Sequence, residues 1–561
     1  MRTFITIIIS FLFSTSLLFA QDQQVIFKAM EEEMERNMTQ LQMDKPDTPP
    51  ILYISYTLAD TKSIQTSASN GTIIQTTATQ VERISSVRLI VGDNTFSSDY
   101  SYTGNGILGV NFVTVEDDPA QIKAAFWANS DIAYKFAIEA YNSKKSNIKN
   151  ANLTEQELGL SESIPMLATE VFAPYNEIDI SKDPYEALAA KLSVGFVKDR
   201  SVLLTSVDIS GIETVYYRIT SEGVKSKQAV SFVEIALKGK VRLPSGQVVG
   251  DEKVFIFSDL KEVSDLSWMM SEVKAFSDHL VAIKKSEKFG EYYLGPVLFE
   301  DEAVVKIFSD NLISASGLIA SRKPITVITS VARAENMAEI TRAKPLEERI
   351  GKKVIDSRLS VYNRTDLHSF NGIHLLGSYS VDAQGVVPKP NSTLIENGIL
   401  KSLLTQNIPT VKSNESTGSY RFGAKPRAVT QEIAPGVLVI EAPKGDTREV
   451  LRATLIESAK EEGLEYGYIV RRYGERGDQF LYRVSVLDGS ETLVVNCELA
   501  AVTLAKLKRV LGVAKDQYIQ NNLHKNAIPC AIICPSGVLL EDIEINIKRV
   551  NLQKDSELIK K

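Results

Sequence analysis

The chain is poor in histidine, with four in 561 residues: His279, His368, His374 and His524. No two of them stand at HExxH or HExxxH spacing. That excludes the usual zinc-hydrolase helix, where two imidazoles and a carboxylate share one face. His368 and His374 are six apart in "HSFNGIH", with no Cys or carboxylate at matching spacing. They read as ordinary loop or strand side chains. Cysteine is scarcer still, with only Cys497, Cys530 and Cys534. A disulfide framework is excluded, and the odd number leaves at least one thiol free. "PCAIIC" reads as a buried strand, in which residues four apart lie about 13 Å apart, too far for a disulfide. G-x-S-x-G elbows, Walker loops and Rossmann fingerprints are missing as well. There is no basic excess either: 63 Lys and Arg against 70 Asp and Glu give a net charge of -7. General nucleic-acid binding needs a basic field, so that class is not expected.

Long apolar runs occur only at the start. "MRTFITIIISFLFSTSLLFA" has one basic residue, Arg2, an apolar stretch, then Ser14, Thr15 and Ser16 before Ala20. It reads as a secretory signal peptide, which predicts export across the inner membrane to a periplasmic or extracellular location. No Cys lies near the expected cut, so a lipid anchor is not indicated. No later run is long enough to span a bilayer, so no stable membrane span is expected after cleavage.

The remainder is globular in character, 44% hydrophobic and 24% charged, and long enough for several domains. "VIFKAMEEEMERNMTQLQM" places Met30, Met34, Met38 and Leu41 at helical spacing. Asn70-Gly71 between β-favouring runs predicts a hairpin. Pro119 opens a helix, and "NSKKSNIKNAN" reads as a linker. A second helix, "PYEALAAKLSVGF", precedes three strands that Gly211 and Gly223 are expected to separate. Leu266 to Ile283 are expected to form a helix with Met269, Met270, Val273, Phe276 and Leu280 on one stripe. Beyond it come short strands and Gly turns, with helices expected at "TREVLRATLIESAKEEG" and "ELAAVTLAKLKRVLGV". The predicted class is α+β: helix-plus-antiparallel-meander units, then a mainly antiparallel β region with a few helices. The expected divisions are 1-20 for the signal, 21-150 and 151-288 for the two units, and 289-561 for the C-terminal domain.

"GPVLFEDEAVVKIF", residues 295 to 308, reads as a loop running into a helix that starts with Glu300, Asp301 and Glu302. Carboxylates there suit the helix dipole. This stretch belongs to a series: "YLGPVLFEDEAVVKIF", "RIGKKVIDSRLSVYN", "SYSVDAQGVVPKPNSTLIENGILKSLL" and "ESTGSYRFGAKPRAV" follow in that order. The series resembles the C-terminal half of the TldD/PmbA metallopeptidase family. Its most specific part is "LIENGILKSLL", Leu394 to Leu404, followed by a loop with Thr417, Gly418, Tyr420 and Arg421. The resemblance implies a substrate-channel or structural role for Thr417, Gly418 and Arg421. Upstream, "YYRITSEGVKSKQ" is similar to the family's SEG hairpin.

Active members of that family carry HExxxH on the helix that corresponds to Asp301–Lys306. Two His and a downstream Cys bind zinc there, and the Glu is general base for a zinc-polarised water. In this chain Glu302 matches the base, Asp301 stands at the first ligand position and Lys306 at the second. A charged ammonium cannot ligate. Shifting the match by one residue puts Phe299 or Glu300 first and restores no ligand pair. The resemblance therefore implies a zinc-less subunit in which Glu302 is a remnant base. No cofactor is expected in this chain. Zinc is expected in a TldD-like, HExxxH-containing partner, and the substrates are expected to be unstructured peptides. Two alternatives stand beside this: an autonomous peptidase with altered ligands, using Glu302 and Asp301 with His368 or His374, and a non-proteolytic peptide-binding scaffold.

Overall fold

The computed structural model describes residues 24–43, 47–99, 107–150, 153–196, 198–199, 202–263, 265–314, 317–320, 322, 346–474 and 479–548. The expected signal segment lies outside them. Helix α1 spans 24–40 and buries Met30 and Met34, while Met38 faces solvent. β1 (Ile51–Ser69) and β2 (Thr72–Val91) form the expected hairpin. Asn70 and Gly71 both have positive φ, 49° and 80°, which a two-residue hairpin of matching twist requires.

β3 (Ile107–Val113) pairs with β2, and α2 (Pro119–Asn147) follows, capped by the Asp118 carboxylate. Residues 142–147 of the segment expected to be a linker are the last turns of α2, and 148–150 form a 3-10 turn. Its Lys144 is buried, donating to Glu162 at 2.7 Å and to the Asp99 carbonyl at 2.9 Å. Local composition misled because Lys144 is matched by a carboxylate beyond the helix. A short helix α3 (Glu155–Leu158), β4 (Thr169–Phe172) and α4 (Lys182–Ser193) lead to β5 (Val202–Thr220). β5 runs unbroken through Gly211, contrary to the expected break. The glycine is there for space: a Cβ on it would lie 2.4 Å from the Tyr185 hydroxyl of α4. β6 (Val224–Arg242) and β7 (Val248–Phe257) complete a seven-stranded sheet ordered β3-β2-β1-β5-β6-β4, with β7 also on β6. The strands of both helix-plus-meander segments thus share one sheet. α5 (Leu266–Lys284) covers it with Met269, Val273, Phe276 and Leu280.

β8 (Glu287–Lys288) and β9 (Tyr293–Glu300) follow, then α6 (Glu302–Leu312). β9 corrects the expected loop. Its Pro296 lacks an N–H but sits where the opposing strand bulges, so no ladder bond is lost. The C-terminal region continues with β10 (Ser360–Arg364), the ribbon β11 (Ser369–Phe370) and β12 (Ile373–His374), β13 (Asn391–Glu396) and β14 (Ile399–Leu400). Next are β15 (Tyr420–Phe422), β16 (Gln431–Ile433) and β17 (Val437–Glu441). α7 (Arg448–Glu461) is capped by Thr447 and precedes β18 (Tyr466–Tyr473), β19 (Gln479–Ser485) and β20 (Glu491–Val495).

The helix expected after Cys497 does not form. That segment holds β21 (Cys497–Leu499), a single 3-10 turn, and β22 (Val510–Val513). Leu507, Val510 and Val513 are buried, and both strands pair with β25 (Gly537–Ile547), so tertiary pairing overrides the helical spacing. β23 (Gln517–His524) and β24 (Ile528–Pro535) complete the set. Two larger sheets result, β14-β13-β10-β17-β24-β23 and β21-β25-β9-β18-β19-β20-β8, with β22 on β25, beside the two-stranded pairs β11-β12 and β15-β16. Most pairings are antiparallel, and the architecture is α+β as expected. Among the described residues no helix is long and apolar enough to cross a membrane.

Candidate functional site

β9 delivers the acidic stretch to the start of α6. Asp301 turns the chain at φ 50° and ψ -114°, a conformation few L residues adopt. Its N–H donates to the Ser536 carbonyl at 3.0 Å, and its carbonyl accepts from Val304 and Val305. Ala303, Val304, Ile307 and Phe308 bury the inner face of α6, so the turn is fixed on a packed helix.

All three carboxylates are occupied by cations. Glu300 accepts from Arg471 at 2.9 Å. Asp301 is gripped by both terminal nitrogens of Arg448, whose Nε donates to Ser536 Oγ at 3.1 Å. Hydrogen bonding to Asp301 raises the Arg448 pKa above its ordinary value. Glu302 lies 3.6 Å from Lys253 Nζ, which also binds Glu272 at 2.8 Å. Lys306 points its ammonium at Asp310, 2.9 Å away, and over the Tyr473 ring.

This donor set does not fit zinc. Glu300 and Asp301 are each paired with an arginine, Glu302 shares Lys253 with Glu272, and Lys306 brings a further ammonium. Among the described residues no group of three or more His, Cys, Asp or Glu is placed to hold a metal ion. The histidines sit elsewhere. His374 pairs with Glu262 at 2.7 Å, and His368 shares a hydrogen bond with Ser378 at 2.9 Å. His279 lies 3.5 Å from the buried Asp251, which Arg472 also binds. Burial, with Arg472 and Lys253 nearby, pushes the His279 pKa down to about 3. His524 is pushed down to about 4, chiefly by burial. Cys497, Cys530 and Cys534 are buried, and none is in a disulfide among the described residues. Burial raises the Cys530 thiol to about 11 and Cys534 further.

The second predicted group, the Thr417 loop, lies in another part of the fold. The Thr417 hydroxyl accepts from the Thr405 N–H at 2.8 Å and shares a bond with Ser419 at 2.9 Å. Gly418 has φ +68°, and a Cβ there would press on the backbone of Val386 and Pro388 at 3.1 Å. The Tyr379 hydroxyl donates to the Gly418 carbonyl at 2.8 Å. Thr417 and Gly418 thus set the path of the loop that brings in β15. Arg421, at the centre of β15, stacks its guanidinium 4.3 Å from the centre of the Tyr379 ring and donates to the Pro435 carbonyl. It borders a cavity of about 680 Å³ between β6 and the C-terminal region. Neighbouring Asp382 accepts N–H groups from Gln384, Val386 and Tyr420, and burial pushes its pKa up to about 7. Sequence motifs singled out Arg421 but not the cavity, whose lining runs from Pro174 to Pro529. Nor did they show the basic partners of Glu300, Asp301 and Glu302, which come from β7, α7 and β18.

Residues 295–546 match the PmbA/TldA metallopeptidase C-terminal domain. No curated protein sequence matches the chain. Three solved structures share the fold over nearly their whole length. TldE from Thermococcus kodakarensis is 15% identical, with 92% of this chain and 99% of that one covered, at a TM-score of 0.53. A proposed modulator of a DNA gyrase from Thermotoga maritima MSB8 is 14% identical, with 88% and 96% covered, at 0.56. A proposed modulator of DNA gyrase from Bacteroides thetaiotaomicron VPI-5482 is 11% identical, with 93% and 98% covered, at 0.57.

Proposed function

Since this chain belongs to the TldD/PmbA metallopeptidase family, we propose that it is the zinc-less subunit of a heteromeric peptidase complex of the cell envelope. One observation carries the reading: Glu300, Asp301 and Glu302 are each bound by a basic side chain where a zinc helix would need free ligands. A general base must be free to take a proton from a polarised water, and Glu302 faces the Lys253 ammonium, with no group of three or more metal-ligating side chains among the described residues. Here the acidic helix start is part of the scaffold. The family's zinc would be held by a TldD-like subunit with its own HExxxH helix, and this chain would complete the chamber around unstructured peptides. The N-terminal twenty residues support an envelope location.

The test is co-expression of the mature chain with HExxxH-containing family members of the same genome. The account predicts a stable complex with one of them, peptide hydrolysis by the complex, and no effect of Glu302→Gln on that hydrolysis. Failure to associate with any, together with hydrolysis by the isolated chain that Glu302→Gln abolishes, would establish the autonomous peptidase instead.

A further inference from the structure

Among the described residues Arg421 lacks the carboxylate partner that Arg83, Arg88 and Arg472 each have. Arg83 is paired with Asp60 and Asp117, Arg88 with Asp99, and Arg472 with Asp251. Arg218 bonds Gln431 and lies within the field of Asp382. Arg421 is only 8% exposed, yet its partners are one backbone carbonyl and an aromatic face. Among the described residues it has no carboxylate partner. A guanidinium does not give up its proton, so the charge stays. A buried charge without a counter-charge is costly, and native structures ordinarily supply one.

The cavity it borders shows where that counter-charge would sit. Two carboxylates also line the space, and both are engaged: Glu177 takes the Lys62 ammonium at 2.6 Å, and Asp259 accepts the Lys261 N–H at 2.9 Å. Walls of Tyr379, Phe422, Leu375 and Pro529 are apolar, while Ser231 and Ser378 add hydroxyls. A volume of about 680 Å³ is in the range of sites that enclose small organic ligands or peptide ends, roughly 300–1,000 Å³. We infer that this cavity is a carboxylate-binding site, with Arg421 taking the two oxygens of a peptide carboxylate, at a C-terminus or on an acidic side chain. That the carboxylate is a peptide's rests on the function proposed above. The need for an anion beside Arg421 does not.

The isolated mature chain is titrated calorimetrically with three peptides: N-acetyl-trialanine as the free acid, the same peptide amidated, and an amidated N-acetyl-Ala-Glu-Ala. One or both carboxylate peptides should bind at least about tenfold more tightly than the neutral amide, as a charge-assisted bidentate contact requires. Which one binds assigns the source of the carboxylate. Arg421→Gln should erase the difference. Ser231→Trp, which fills the cavity and leaves the guanidinium in place, should erase binding too, and covers the case in which Arg421→Gln does not fold. Equal binding of acids and amide overturns the proposal. So does undiminished acid binding by a folded Arg421→Gln or Ser231→Trp chain. No partner subunit is needed, so either result leaves the zinc-less-subunit reading separately testable.

Discussion

Asp301 shows how one side chain can look like chemistry and act as architecture. Its carboxylate holds Arg448 across to α7 while its backbone occupies a strained turn. Asp and Asn tolerate positive φ better than other residues with a Cβ. Asp301→Ala loses both the ion pair and that tolerance, and should cost about 1–2 kcal/mol in urea unfolding. Asp301→Asn keeps the tolerance and an acceptor, and should cost less than half as much. Glu302→Gln should shift stability by less than about 0.5 kcal/mol, because Lys253 keeps Glu272. His279 makes a second prediction at this scale. Its folded pKa lies near 3, below an unfolded value of about 6.5. The neutral form is the folded one, so its contribution is complete above about pH 6.5 and is lost as pH falls toward 3. His279→Gln should remove that loss. Between pH 6.5 and 4 the variant's unfolding free energy should decline less steeply than wild type, by on the order of 1 kcal/mol per pH unit. Parallel pH profiles would contradict the assignment.

Among elements, β5 is the informative case. Gly211→Ala would put a methyl 2.4 Å from the Tyr185 hydroxyl, which is buried without a hydrogen-bond partner among the described residues. The substitution should cost about 1–3 kcal/mol despite the usual penalty for glycine in strands. Adding Tyr185→Phe removes the clashing atom and should recover most of that loss in a double-mutant cycle. Additive effects would show that the close approach is not the cause. Gly211 also shows where sequence reading stops. A glycine that ends a strand and a glycine that admits a tyrosine look alike along the chain. Asn70-Gly71 was legible because a hairpin turn is local chemistry. The stretch after Cys497 was not, since its helical spacing is overruled by pairing with β25. The absence of any HExxxH spacing could be read directly. The ion pairs of Asp301 and Glu300 could not, because Arg448 and Arg471 lie well over a hundred residues away.

At the scale of the molecule, the seven-stranded sheet is joined to the C-terminal region by specific contacts. Tyr216 stacks on Phe422 with ring centres 4.0 Å apart and donates its hydroxyl to the Gly423 carbonyl at 2.6 Å. Arg472 reaches Asp251, and Arg427 reaches Glu82 at 2.9 Å. These contacts hold the walls of the Arg421 cavity, contributed by both parts, in register. Separately, Arg448 and Arg471 fasten the acidic start of α6 to α7 and β18, as expected of the non-cutting subunit proposed above. Zinc stoichiometry, measured by elemental analysis on the purified mature chain alone and in complex with the HExxxH-containing subunit proposed above, tests that claim most directly. The account predicts substoichiometric zinc in the isolated chain, and zinc in the complex that disappears when the partner's own HExxxH histidines are replaced. One zinc per isolated chain, lost on replacing Asp301 or Glu302, would contradict it.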